Sequence, residues 1–130
     1  MTVKNLCTGI QHIGIPTKDM NASLSFYQSL GFEIAHSNIV PGSNDHVNFL
    51  KLHNLVMEVY ESKEAIGAYG AIEHVAIDVT DIEETYKIIC EKGLNTLNDE
   101  IHFLPFWTNG VKYFTIEGPN KEKVEFSQFL

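Results

Sequence analysis

Arginine is absent from this chain of 130 residues, and nine lysines stand against 17 acidic side chains, for a formal net charge of −8. The lysines are scattered rather than clustered. Nucleic acid requires a basic stripe to neutralise its phosphates, so DNA and RNA are excluded as expected partners. Arginine is also the usual bidentate clamp for carboxylates and phosphates, so a substrate with several anionic groups is poorly served. Cysteine is equally scarce. Cys7 and Cys90 make no disulfide framework, suit a reducing cytoplasm, and are expected as small hydrophobes rather than reactive thiols. No apolar run approaches the length of a membrane span. The opening Val3-Lys4-Asn5-Leu6-Cys7 lacks the apolar core of a signal peptide. The expectation is a cytoplasmic protein with no membrane partner, of a length that suits one domain and not two independent cores.

Against these absences stands a repeat. Ile10-Gln11-His12-Ile13-Gly14-Ile15 returns 62 positions later as Ile72-Glu73-His74-Val75-Ala76-Ile77. In each copy a histidine alternates with small or branched apolar residues, the pattern of a half-buried strand. In the second copy this places Ile72, His74 and Ala76 on one face, with Val75 and Ile77 on the other. A histidine held on such a face needs a partner or a purpose. The correspondence continues without a gap: Met20, Leu24 and Tyr27 match Ile82, Tyr86 and Ile89, and Gly31 matches Gly93. An internal duplication explains this.

The elements follow in the same order twice. Gly9 to Ile15 is expected as a strand broken by Pro16-Thr17-Lys18, and Asp19 caps a helix carrying Met20, Leu24, Tyr27 and Leu30. Gly31 stops that helix. Strands are expected over Phe32 to Ile39, His46 to Leu52 and Leu55 to Glu61, separated by the turn residues 41–45 and 53–54. After a linker over 62–70, Ala71 to Val79 is a strand, and Asp81 caps a helix with Glu84 in the capping-box position. Leu94 to Asn98 is then expected as a strand and residues 99–109 as a long loop. Val111 to Glu117 and Lys123 to Phe129 close the chain as strands around the turn at Gly118-Pro119-Asn120. Two sheets, each backed by one helix, bury these faces economically.

The chemistry lies in four residues. Leu55-Val56-Met57-Glu58-Val59-Tyr60 and Lys123-Val124-Glu125-Phe126-Ser127 each carry one acid between apolar neighbours. If Met57, Val59, Val124 and Phe126 face the helices, Glu58 and Glu125 face the other way, where alternation also puts His12 and His74. Any one of these residues alone is ordinarily a satisfied strand histidine or an exposed strand glutamate. All four at equivalent places in both halves make a coherent ligand set for one divalent first-row metal, with the two carboxylates neutralising its charge. His36, His46 and His53 have no counterpart in the other half and lie near turns, where solvent exposure is expected. His102, Phe106 and Trp107, in the long loop with Phe103, are candidates for lining a substrate pocket, with core packing the alternative for the aromatics.

The chain resembles the vicinal oxygen chelate superfamily, which includes glyoxalase I, bleomycin-resistance proteins and extradiol dioxygenases. His12-Ile13-Gly14-Ile15, followed by Ser25-Phe26-Tyr27-Gln28-Ser29-Leu30-Gly31-Phe32-Glu33, resembles the family's opening strand and its F-Y-x-x-x-L-G-F helix end. Leu55 to Val59 is similar to the strand bearing the first glutamate of glyoxalase I, and Ala68-Tyr69-Gly70 precedes the second histidine strand in the glyoxalase manner. Gly118-Pro119-Asn120 through Val124-Glu125-Phe126 resembles the ending D-P-x-G-x-x-[IVL]-E-[FL], with Lys121-Glu122 in place of the turn glycine.

The resemblance implies an α+β fold of two tandem βαβββ modules whose cupped mixed sheets enclose one metal. It implies a single domain over 1–130, with module 1 over about 9–61, the linker over 62–70 and module 2 over about 71–130. The ligand positions correspond to His12, Glu58, His74 and Glu125, a two-histidine, two-glutamate set most similar to short bacterial glyoxalase I, with Ni2+ or Co2+ favoured over Zn2+, Mn2+ or Fe2+. The implied reaction is a lyase or isomerase step on a 2-oxoaldehyde–thiol adduct or related carbonyl compound. It passes through a metal-chelated enediolate, with Glu58 or Glu125 as general base. Bacterial glyoxalase I places arginine four positions after its first histidine to hold glutathione's carboxylate. Here Pro16 stands there, which counts against glutathione as the thiol. Two alternatives share the fold. One is an Fe(II) or Mn(II) dioxygenase or thiol transferase using His12, His74 and Glu125 as a facial triad. The other is a binding or resistance protein without chemistry. Members this short imply a homodimer, and the linker permits a site within one chain or one shared between two.

Overall fold

The computed structural model describes residues 2–130, the Val3 side chain apart. A short α1 (Val3–Leu6) precedes β1 (Ile13–Thr17), α2 (Met20–Ser29), β2 (Glu33–Ile39), β3 (His46–Leu52) and β4 (Leu55–Glu61). Then follow β5 (His74–Asp78), α3 (Ile82–Glu91), β6 (His102–Leu104), β7 (Val111–Glu117) and β8 (Lys123–Phe129). The chain divides into two compact units between Ala65 and Ile66. Each unit is a βαβββ module with a four-stranded mixed sheet, ordered β1-β4-β3-β2 in the first and β5-β8-β7-β6 in the second. The outer strands β1 and β5 run parallel to β4 and β8, and all other neighbours are antiparallel. The parallel pairs exist because a helix returns the chain to the far edge of the sheet before the meander begins.

Cap chemistry sets the helix starts. The Asp19 and Asp81 carboxylates accept from the Ala22 and Glu84 N–H groups, each at 3.0 Å, and satisfy donors that the first turn leaves without partners. In the first unit α2 packs on β4, burying Ser23, Phe26 and Tyr27 against Leu50, Met57 and Val59. In the second, α3 packs on β7 and β8, burying Ile82 and Ile89 against Phe114, Ile116, Val124 and Phe126. Each large apolar side chain so buried contributes roughly 1.5–3 kcal/mol. The neighbours of Glu58 and Glu125 therefore face the helices, as the alternation requires.

Four details depart from the sequence-based expectation. Strand β1 starts at Ile13 and continues through Pro16 and Thr17. It is an edge strand, where proline's missing N–H is tolerated. Strand β5 starts at His74, so Ile10 and Ile72 precede their strands and are exposed. The stretch Leu94 to Asn98 forms no strand. Asn95 captures the local backbone instead: its Oδ1 accepts from Asp99 N–H, its Nδ2 donates to Asp99 O, and Asn98 takes a φ of +52°. The edge strand is β6, inside the expected loop. Finally, Cys7 and Cys90 are both free and exposed rather than packed as hydrophobes.

Candidate metal centre

The two sheets hold their histidine and glutamate in the same register. Gly14 stands opposite Glu58 across the β1–β4 pair, and Ala76 stands opposite Glu125 across β5–β8. His12, just before β1, and His74, the first residue of β5, are two residues upstream of Gly14 and Ala76 and lie on the glutamates' side of each sheet. The faces away from the helices thus carry identical diagonals. In the first unit His12 Nε2 lies 3.6 Å from Glu58 Oε1, with both side chains about one-third exposed. Two ligands about 2.1 Å from one ion stand roughly 3.0–3.4 Å apart, so the pair is spaced to share an ion after a small closure. Phe49, opposite Glu58 on β3, turns its ring edge-on to His12 at 5.5 Å.

In the second unit, burial pushes the Glu125 carboxyl above its ordinary value, and the charge of His74 draws it only partly back. A half-buried carboxylate with one histidine for company is a group short of positive charge. A divalent cation would supply it. Among the described residues no three His, Cys, Asp or Glu side chains gather as a ligand group. The donor chemistry, imidazole with carboxylate, fits a borderline divalent ion.

The remaining candidates fall as follows. His102 lies on β6 opposite Tyr113, and Tyr113 is two residues from Thr115, the partner of Glu125. His102 is therefore on the face of Glu125, one row away. Its ring leans on Tyr113 at 5.3 Å, and its Nε2 is 2.7 Å from Asp99 Oδ1. Asp99 Oδ2 accepts from Thr115 N–H at 2.9 Å, replacing the ladder bond that a longer β6 would make. Burial pushes Asp99 upward, but the His102 hydrogen bond and the Thr115 and Glu100 N–H groups prevail and hold it below the ordinary aspartate range. Trp107 sits in a turn at φ +62° with its ring edge-on to Phe129 at 5.4 Å, two rows beyond Glu125 on the same face. Phe106 is exposed beside it.

His36 is the residue that sequence reasoning passed over. It is exposed as expected, but it stands inside β2 rather than near a turn. A register irregularity between Ile34 and His36 puts it opposite Phe49, with ring centroids 5.9 Å apart. Plain alternation from Ile34, the partner of helix-facing Leu50, would have put His36 on the helix face. The bulge reverses the parity, and nothing in the local sequence announces it.

Comparison with known proteins bears on this arrangement. The family model described as Glyoxalase/Bleomycin resistance protein/Dioxygenase superfamily matches residues 9–126. The uncharacterized protein YwbC of Bacillus subtilis (strain 168) is 33% identical over 92% of this chain and 96% of its own length. The crystal structure of a glyoxalase family protein from Enterococcus faecalis matches with a TM-score of 0.74 at 25% identity, covering 94% of this chain and 98% of that one. The fosfomycin resistance protein FosX from Listeria monocytogenes, solved with Mn(II) and sulfate, matches in fold with a TM-score of 0.70 at 16% identity, over 95% of this chain and 94% of its own.

Proposed function

Because the chain belongs to the Glyoxalase/Bleomycin resistance protein/Dioxygenase superfamily, we propose that it is a metal-dependent lyase or isomerase of the glyoxalase I type. The observation that carries the reading is the shared register, Gly14 with Glu58 and Ala76 with Glu125, which presents the same His/Glu pair twice. His12, Glu58, His74 and Glu125 together hold one divalent ion, with Ni2+ or Co2+ favoured. When bound, the ion supplies Lewis-acid polarisation of a substrate carbonyl. The histidines hold, and the glutamates both balance charge and move a proton. Glu58 or Glu125 takes the proton from the carbon beside the carbonyl and returns it to the neighbouring one. Pro16 occupies the anion-clamp position on the same face as His12 and Gly14, so the substrate is a 2-oxoaldehyde–thiol adduct, or a related carbonyl compound, whose thiol need not be glutathione. His102, Phe106 and Trp107 are proposed to meet its distal part. A cytoplasmic homodimer is the proposed form, with the four ligands brought together from two modules of one chain or of two.

Metal analysis of the purified protein tests the reading, with turnover of methylglyoxal–thiol adducts under Ni2+, Co2+ or Zn2+. Protein that takes up no divalent ion is incompatible with it. A second reading draws support from the fold likeness to FosX and its Mn(II). Here His12, His74 and Glu125 are the ligands of an oxygenase or thiol transferase, and Glu58 is a bystander. Glu58→Gln separates the two. The first reading expects weakened metal binding and lost turnover, the second expects neither.

A further inference from the structure

The residue before each histidine forms a second matched pair. Gln11 and Glu73 are 62 positions apart, like the histidines they precede. Gln11 Oε1 lies 2.9 Å from His12 Nδ1, and Glu73 Oε1 lies 3.7 Å from His74 Nδ1. Consecutive side chains within a strand point apart. His12 lies just before β1 and His74 is the first residue of β5, so the pleat does not separate them from their predecessors. Both contacts engage Nδ1. The other nitrogen of His12, Nε2, is the one that faces Glu58 at 3.6 Å.

A carboxylate can only accept a hydrogen bond, and the amide of Gln11 presents its oxygen. At 2.9 Å the Gln11 acceptor makes a hydrogen bond that selects the Nδ1–H tautomer of His12 and leaves its Nε2 lone pair free; Glu73, at 3.7 Å, stands at ion-pair distance from His74 Nδ1 and favours the same tautomer on a closure of under about 1 Å. Glu73 is itself held in place. Its Oε1 lies 3.8 Å from Lys123 Nζ, Lys123 stands opposite His74 in the β5–β8 register, and its ammonium lies 4.7 Å over the Tyr69 ring. Ligand histidines in metal sites characteristically donate their second N–H to such a partner, which sets the ring orientation.

We propose that Gln11 and Glu73 are positioning residues, each holding a histidine by Nδ1 so that Nε2 is presented as the donor atom. The amide in one half and the carboxylate in the other make the two histidines unequal. A charged acceptor polarises the imidazole N–H more strongly than an amide does, so His74 is the stronger ligand. The inference rests on the metal-site reading above, and its first test does not need a metal.

Long-range 1H–15N correlation spectra of the metal-free protein, at a pH where the imidazoles are neutral, read the tautomers directly. The Nδ1–H form is expected at His12 and His74, and Nε2–H at either one overturns the assignment. Calorimetric titration with Co2+ alone then compares variants. Gln11→Ala and Glu73→Ala are each expected to weaken binding by about 10–100-fold, and Gln11→Glu to tighten it. Affinity within twofold of the wild type in either alanine variant overturns the proposal. So does a Lys123→Met variant that reproduces the full Glu73→Ala loss, because the effect would then belong to the lysine. Wild-type protein that binds no Co2+, Ni2+ or Zn2+ refutes the metal site itself, while the tautomer result stands separately.

Discussion

Among the displaced carboxylates of the second unit, Glu125 and Asp99 move in opposite directions, and stability follows each. Glu125 is raised by burial, so its neutral form is favoured in the fold. The associated stability is present below its unfolded value of 4.5 and is lost as pH rises through the raised folded value. Metal-free protein thus carries a cost at neutral pH that Glu125→Gln removes. Thermal melts should show the variant more stable than wild type at pH 7, with the difference closing toward pH 4. Asp99 is the reverse case. Its carboxylate is held low, so its contribution is present above the ordinary 3.8 and is lost as pH falls through the folded value. Asp99→Asn leaves one of its two donors, His102 Nε2–H or Thr115 N–H, without an acceptor and the other with only a neutral one. Urea titration at pH 7 should show a loss of about 1–2 kcal/mol, shrinking in acid as the wild type loses the same interaction.

The strands β1 and β5 are equivalent, yet one has glycine and the other alanine opposite the glutamate. A Cβ built on Gly14 would sit 3.5 Å from the Tyr60 ring and 3.9 Å from Glu58 Oε1, both ordinary contacts. Alanine there removes freedom from the unfolded chain without straining the strand. Gly14→Ala should stabilise by about 0.4–1 kcal/mol in chemical denaturation and leave metal affinity unchanged. The edge strands β2 and β6 differ more. The first runs seven residues with a bulge, the second only three, its further pairing taken over by the Asp99 side chain. The duplicated modules thus share one edge of each sheet, a parallel strand pair with its helix, and diverge at the opposite edge.

At the scale of the molecule, if His12, Glu58, His74 and Glu125 hold a divalent ion as proposed, its binding becomes part of folding stability. An ion at 100 times its dissociation constant adds about 2.7 kcal/mol. Calorimetric melts should therefore rise on adding Ni2+ or Co2+ and fall back on chelation. His12→Ala with His74→Ala should remove the response. Among the described residues no helix is long and apolar enough to cross a membrane, and Cys7 and Cys90 form no disulfide.

The sequence by itself determined the duplicated βαβββ order, the caps at Asp19 and Asp81, and which neighbours of Glu58 and Glu125 turn toward the helices. These depend on periodicity and on side chains acting within a few residues of their own backbone. It also singled out the four candidate ligands, because duplication repeats a functional residue together with its frame. Only the tertiary structure decided that Gly14 meets Glu58 and Ala76 meets Glu125, that a bulge turns His36 to the face of Phe49, and that the edge strand forms at His102–Leu104 with Asp99 taking the Thr115 N–H beside it. Register, bulge parity and side-chain capture of a distant N–H are set between strands far apart in sequence, where no local pattern reaches.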